Sequence, residues 1–400
     1  MMKQAEVDIA IVGGGVAGLW LLNRLKQLGY SVILLECHAL GSGQTSKAQG
    51  IIHGGTKYAL HGSLTDAALA ISEMPAIWKK CLAGEGSIDL TSVPVTSTHQ
   101  YLFSPNKFTG KLAGFFASFA LQGKVVSLDK KDFPDVFKDP KFKGLVYALD
   151  EIAIDVNALV KELAHKYQEC IFKIEPLNED DLYLNDAGGL EKLHVRDSLG
   201  NAIEIHAEKY IFTAGIGNEI VEMKLKNKAL KTQRRPLHMV VMKTDYDYPV
   251  FAHCLGLAAT PRMTITTHKA HDGKTIWYLG GQIAEEGVNR DAKAQAESAR
   301  KECEDLFPWL NFSTADFASF IVDRAEALQE NGKRPDTAMF HEIQNVITAW
   351  PTKLALAPKL AEDICENLEK QNTRKSVGDI SVLKNSPHPD VAKPIWDELL

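Results

Sequence analysis

The chain opens on an apolar run, Val7-Asp8-Ile9-Ala10-Ile11-Val12, that stops at three consecutive glycines, Gly13, Gly14 and Gly15. A short apolar run bounded by turn residues predicts a buried strand. From Ala17 to Leu28 apolar residues recur three and four apart, and Gly29 ends the pattern as a helix stop. A second strand follows, Ser31 to Leu35, closing on Glu36, so the opening reads as a βαβ unit. Asp155 is a predicted N-cap for a helix over Val156 to Ala164. Between Ile171 and Phe212 strand segments alternate with turn clusters at Asn185 to Gly189 and Ser198 to Asn201, and Tyr210 to Gly215 is another buried strand meeting a glycine. From Pro236 the strands lengthen: Leu237 to Lys243, Arg262 to His268 and Thr275 to Gln282, with a hairpin turn at His271-Asp272-Gly273. This predicts a separate antiparallel sheet. Asn345 to Trp350 reads as a last buried strand and Ala355 to Leu368 as a closing helix, beyond which the polar, proline-containing tail is expected to be a surface extension.

Composition narrows the class without changing this picture. Over 400 residues the chain is 45% hydrophobic and 24% charged with a formal net charge of −6, which offers no general basic field for nucleic acid and favours small-molecule chemistry. The six cysteines are scattered with no CxxC pair, so neither a disulfide framework nor a metal motif is expected. No apolar run reaches the ~20 residues of a membrane helix. Glu6 and the immediate strand leave no room for a signal peptide's basic and apolar regions, so a cytoplasmic protein is expected.

The glycine turn carries the chemistry. Gly13, Gly15 and Gly18 have the GxGxxG spacing in which one glycine permits the tight turn, one lets the backbone approach a pyrophosphate, and one allows close helix-to-strand packing. Val16 and Ala17 lie at the helix N-terminus, where free amides and the partial positive charge favour phosphate. Glu36 is placed to accept hydrogen bonds from ribose hydroxyls. No second such turn occurs, so one dinucleotide is bound. The small, hydrogen-bonding segment Gly41 to Gly55, with Gln44, Thr45, Ser46, Lys47, Gly50 and Ile51, suits a loop along an extended cofactor, which makes FAD the choice over NAD.

At Gln44-Thr45, Gly50-Ile51-Ile52-His53-Gly54-Gly55, Tyr58 and Gly62-Ser63-Leu64 the chain resembles the D-amino-acid oxidase superfamily of flavoproteins, nearest to its L-2-hydroxyglutarate oxidase and glycerol-3-phosphate dehydrogenase branches. Thr213-Ala214-Gly215-Ile216-Gly217 resembles the superfamily's second FAD-contacting strand end. The resemblance implies an α/β fold with a Rossmann-like FAD-binding lobe and an antiparallel β-sheet substrate lobe. The FAD lobe would comprise residues 1–88, 149–227 and 323–370, the substrate lobe 89–148 and 228–322, and the extension 371–400. It also implies cofactor contacts from Ile174, Ala214, Gly215 and the stretch Thr352, Lys353 and Leu354. That stretch departs from the family pattern: Trp350-Pro351-Thr352-Lys353-Leu354 has no glycine where the family's turn carries one.

For the oxidation itself, a base is needed near neutral pH to take a proton from a hydroxyl. His53 sits where the resembling hydroxy-acid oxidases place a histidine beside the flavin; the plainer reading is a loop histidine bonded to backbone. Along Arg262 to His268, Arg262, Thr264, Thr266 and His268 share one face, either lining a substrate cavity or forming a solvated sheet surface. His238 and Tyr278 are weaker candidates of the same kind. Arg324 is the candidate for an anionic substrate group, with Arg234 and Arg235 as alternatives, because a guanidinium makes two parallel charge-assisted bonds. The expected partners are a small-molecule substrate and, for lack of an NAD domain, oxygen or a quinone as electron acceptor. Oxidation of an amine, and a noncatalytic FAD-binding role, stand as the alternatives.

Overall fold

The opening strand, Lys3–Val12, lies inside a sheet and is covered on both faces: Ile9 and Ile11 enter one core, Ala10 and Val12 the other. The computed structural model describes residues 3–54, 66–105, 125–226, 231–255, 260–329, 335 and 337–400, with the side chains of 66–70 also set aside. Gly55, Tyr58 and Gly62-Ser63-Leu64 lie outside the described residues, as does the lobe boundary expected at 227.

Strands Val346–Trp350, Ala202–Phe212, Lys3–Val12, Val32–Glu36 and Ile171–Lys173 run parallel in that spatial order. Antiparallel strands extend the sheet: Leu182–Leu184 and Leu190–Arg196 pair beside Ala202–Phe212, and Met339–Ile343 beside Val346–Trp350. The helix Val16–Gln27 packs on this sheet with Val156–His165 and Ala357–Lys370, its Leu19, Trp20, Leu22 and Leu25 all fully buried.

The second sheet, eight strands among the described residues, runs in the order Asp316–Ala327, Thr232–Thr244, Thr275–Gly280, Met263–Lys269, Ala252–Cys254, Gln100–Ser104, Leu145–Leu149, Val125–Ser127. It is antiparallel except between Ala252–Cys254 and Gln100–Ser104, which run parallel. The lobe boundary expected at 322 falls inside Asp316–Ala327, which stays paired with Thr232–Thr244 as far as Ala327.

Register sorts this sheet's side chains into two chemically different faces. Phe103, Val146, Ala252, Cys254, Met263, Ile265, Trp277, Leu279, Val240 and Met242 form an apolar core with Ala299, Cys303 and Leu306 of the helix Ala292–Leu306. The sequence pattern does not reveal that helix, because of its inward residues Gln295, Ala299, Cys303 and Leu306 only the last is a large apolar one, and the neighbours are charged. The opposite face carries Gln100, His253, Thr264, Thr266, Tyr278, Met239, Val322 and Arg324, cross-strand partners that share a side. The expected strand to Gln282 ends at Gly280, since Gly281 takes φ +90 and Gln282 starts a short helix.

The tail is not a detached surface extension. Asp379 pairs with Glu6 and Val391 with Leu40, while Ser376 gives two hydrogen bonds to the buried Asp8 carboxylate. Leu383 is 1% exposed, and Trp396 stacks on His268 in the other sheet. Its apolar residues follow no regular period, so hydrophobic patterning does not register them; they dock singly into both lobes.

Candidate functional site: the glycine turn and the cavity beyond it

The turn after the first strand is built by contacts that admit almost no side chain. Gly13 has φ +110, in the region that favours glycine, and a Cβ there would come within 2.7 Å of the Thr213 backbone. A Cβ on Gly18 would lie 2.0 Å from the Gly13 oxygen, which is the close helix-to-strand packing expected of the third glycine. Gly14, a position the motif leaves open, is equally tight: its Cβ would meet Leu40 Cδ2 at 2.5 Å and Glu36 Oε2 at 3.0 Å. The first intrahelical bond runs from Leu19 N–H to the Gly15 carbonyl at 3.0 Å, so the amides of Ala17 and Gly18 precede the helix ladder and remain for an anion. Val16 N–H is occupied by Thr45 Oγ1 at 3.0 Å.

Glu36 is 9% exposed, and its carboxylate accepts Gly14 N–H at 2.6 Å and His38 N–H at 2.7 Å. It braces the turn as well as facing the cavity. An ionised carboxylate has about four lone-pair sites, so two backbone bonds leave capacity for hydroxyl donors.

A cavity of about 750 Å³ runs from this turn to the second sheet. Gly13, Gly15, Val16, Ala17, Glu36, Gln44, Thr45, Lys47, Gly50, Ile51, His53, Ile174, Ala214, Gly215, Arg324, Thr352, Lys353 and Leu354 all line it. Ile174, Pro176 and Leu177 wall the end beside Glu36, and Leu237, Met239 and Val322 roof the other end from the second sheet. Cys37 also lines it; burial first, then the neighbouring Glu36 carboxylate, push its thiol up to about 11, which keeps it neutral.

Several residues lock the lobes together around this space. Tyr278 donates its hydroxyl to the Lys47 carbonyl at 2.7 Å, Gln49 Nε2 donates to the Tyr278 carbonyl at 2.8 Å, and Ala325 N–H donates to Gln44 Oε1 at 3.1 Å. Asn218, fully buried, accepts Ala214 N–H and donates to the Ala349 carbonyl, tying the Thr213 to Gly217 turn to the last parallel strand. Sequence reading misses Asn218, because one amide after a glycine turn carries no periodic signal.

The glycine-free turn contains a left-handed residue. Thr352 has φ +62, a left-handed conformation rare for a β-branched residue, and Lys353 N–H bonds back to the Pro351 carbonyl at 2.6 Å. The Thr352 hydroxyl donates to the Thr337 carbonyl at 2.9 Å, which helps to offset the strain.

Several of the candidate residues do not line the cavity. Gly18 lies behind it, and Ser46 closes the loop through its N–H to the Gly41 carbonyl at 2.8 Å. Arg262 precedes its strand and turns to the other side, where its guanidinium pairs with Glu302 and Asp305. His268 stays on the expected face, but Trp396 covers it at a ring distance of 4.5 Å, and burial pushes its pKa down to about 4. Neither the cavity-lining nor the solvated reading describes that face as a whole, since Thr264 and Thr266 are buried. His238 is held by the Gly287 carbonyl and Ser319 on the helix side. Arg324 reaches the cavity, its Nε donating to the Arg235 carbonyl at 3.0 Å. Arg234 and Arg235 are engaged by Glu219 and Glu326.

His53 has a partner the sequence does not reveal. Its Nδ1 lies 3.2 Å from Glu151 Oε2, and Glu151 Oε1 accepts Gly54 N–H at 2.9 Å. An ionised carboxylate only accepts, so the proton in that contact sits on Nδ1 and the ring's lone pair lies on Nε2.

A family profile described as DAO, FAD dependent oxidoreductase, matches residues 8–325. The chain is 43% identical over 401 residues to the Probable FAD-dependent oxidoreductase PA4991 of Pseudomonas aeruginosa, covering 99% of each protein. The crystal structure of that FAD-dependent oxidoreductase superposes with a TM-score of 0.83 at 39% identity, over 100% of this chain and 99% of the other. An L-alpha-glycerophosphate oxidase from Mycoplasma pneumoniae with FAD bound has a TM-score of 0.63 at 15% identity, over 91% and 95% of the two chains. Glycine oxidase from Geobacillus kaustophilus has a TM-score of 0.63 at 14% identity, over 96% and 99%. At such identities the last two establish the shared fold alone.

Proposed function

Because the chain belongs to the DAO family of FAD-dependent oxidoreductases, we propose that it oxidises the CH–OH carbon of a small anionic substrate, a 2-hydroxy acid or polyol phosphate. The observation that carries this reading is the His53–Glu151 pair at the cavity wall. Oxidising an alcohol carbon requires a base for the hydroxyl proton, and a histidine whose Nδ1 is held by a buried carboxylate presents Nε2 as that base.

The residues present fit the cofactor. The unpartnered amides at the start of Val16–Gln27 suit its pyrophosphate, Glu36 suits a ribose, and the elongated cavity continues to the second sheet. FAD, when bound, accepts a hydride at the flavin. His53 takes the hydroxyl proton on Nε2, and Glu151 stabilises the imidazolium so formed. Arg324 meets the substrate's anionic group from the strand Asp316–Ala327, four strands from Ala252–Cys254 in sheet order. The roof of Leu237, Met239 and Val322 excludes water from the reacting carbon. Oxygen or a quinone would serve as the electron acceptor.

The test is anaerobic mixing of the FAD-loaded protein with a panel of hydroxy acids, polyol phosphates and amines, following flavin absorbance. Bleaching by a hydroxy compound is expected, slowed about 10²- to 10⁴-fold in His53→Asn. Bleaching by amines alone, or hydroxy-acid reduction unchanged in His53→Asn, would overturn the reading.

A further inference from the structure

Three stretches of chain that are far apart in sequence converge at the histidine end of the cavity. His53, Glu151 and His253 each present one ligand atom, and these atoms all lie within 4.8 Å of one another. The Glu151 side chain is 3% exposed, His253 is 1% exposed, and the His53 and His253 rings are stacked with centroids 5.9 Å apart.

The two buried members are each fixed through the atom that a metal would not use. Gly54 N–H holds Glu151 Oε1 at 2.9 Å, and Thr264 Oγ1 lies 3.0 Å from His253 Nδ1, so Nε2 is the nitrogen a metal would use. Outer hydrogen bonds of this kind orient metal ligands and fix the imidazole tautomer. Two histidines and one glutamate are also a known donor set for zinc with an open fourth position. Bonds of about 2.1 Å place tetrahedral ligand atoms about 3.4 Å apart. The His53–Glu151 pair, at 3.2 Å, already has that spacing, and the widest separation of 4.8 Å closes by about 1.4 Å through side-chain rotation.

We propose that His53, Glu151 and His253 bind one divalent transition metal ion of the zinc class, and that its binding switches off oxidation. The switch follows from the tautomer. A metal on Nδ1 takes the lone pair there, so the single proton of the neutral ring, which Nδ1 shared with Glu151, is given up to solvent and one is taken back from solvent on Nε2. Nε2 then has no lone pair for the substrate hydroxyl. The inhibitory consequence rests on the proposed role of His53 as base, whereas the binding site itself does not.

The experiment uses the FAD-loaded full chain, stripped of metal and titrated with Zn²⁺ against a chromophoric chelator. One tightly bound equivalent is expected, weakened at least about 100-fold by His253→Gln or Glu151→Gln and about 10- to 100-fold by Thr264→Val. His194→Gln, in the separate Glu204 cluster where Lys192 Nζ already sits 2.8 Å from the carboxylate, is expected to leave that affinity unchanged. Zinc-edge absorption should report nitrogen and oxygen neighbours and no sulfur. Thr264→Val keeps the test usable if the other variants fail to hold FAD. Sulfur ligation, or a wild-type affinity no tighter than that of the FAD-holding site variants, would overturn the proposal. Because binding is read without turnover, a failed base assignment leaves the zinc result standing, and the reverse.

Discussion

Gly14 and Gly15 are adjacent and chemically identical, yet replacing each with alanine should damage different properties. Gly15 has φ −76 and ψ −179, an extended conformation alanine adopts freely, and its Cβ would meet only Thr45 Oγ1 at 3.2 Å. Gly15 faces the cavity, so the added methyl stands where the pyrophosphate approaches. Gly14 faces inward, where its Cβ would overlap Leu40 Cδ2 at 2.5 Å, about 1 Å inside ordinary carbon contact. Leu40 cannot retreat with its backbone, which is bonded to Asp390 at 2.7 Å and to Ala392 at 3.0 Å. The remaining outlets are an off-rotamer Leu40, overpacking of about 1–3 kcal/mol, and displacement of Glu36 from the Gly14 N–H, whose charge-assisted bond is worth about 1.5–3 kcal/mol. Gly14→Ala should therefore cost the apoprotein about 2–4 kcal/mol. Gly15→Ala should cost it under about 1 kcal/mol but weaken FAD roughly 10- to 150-fold through one lost amide-to-phosphate bond. Urea unfolding of both apoproteins and FAD titration by flavin fluorescence separate the effects. Equal destabilisation of the two apoproteins, or wild-type FAD affinity in Gly15→Ala, would refute the reasoning.

Other outcomes follow from the same contacts. Glu151→Gln offers one acceptor to two donors, Gly54 N–H and His53 Nδ1–H, so either a buried amide loses its partner or the ring flips tautomer; flavin reduction measured by stopped flow should slow about 10²-fold or more while FAD stays bound. His268, with its folded pKa near 4 against 6.5 unfolded, binds fewer protons in the folded state; stability should fall by at most about 3 kcal/mol as pH drops from 6.5 to 4, and urea midpoints of His268→Gln should lose that dependence. Thr352→Gly trades relief of left-handed strain, about 1–2 kcal/mol, against glycine entropy and the lost bond to the Thr337 carbonyl, so its melting point should barely move; Thr352→Val keeps the strain, loses the bond, and should melt lower. Trp396→Ala should destabilise the protein by about 3–5 kcal/mol in thermal unfolding, since it uncovers His268 and unfastens the tail from the second sheet.

The sequence by itself determined what local chemistry determines. The βαβ opening was legible because a buried strand, a helix N-terminus and a phosphate-binding turn each impose residue types at short, fixed spacings. Gly13, Gly15, Gly18, Glu36 and the loop through His53 could be read for that reason, and they line or brace one cavity. Gly14 shows the limit, since its demand comes from Leu40, which belongs to another segment and is held by the tail. The partners of His53 were invisible for the same reason: Glu151 and His253 stand 98 and 200 positions beyond it, the first brought there by pairing of Ile51–Ile52 with Ile152–Ile154 and the second by a strand of the second sheet. Alternation along Met263–Lys269 correctly put Thr264, Thr266 and His268 on one face, but periodicity says nothing about what covers a face. Only the tertiary structure decided that Trp396 shields one end of it, while His253, bonded to Thr264, meets His53 at the other. Spacing along a chain encodes conformation and turn chemistry; what a side chain meets from a distant segment is settled only when the whole chain packs.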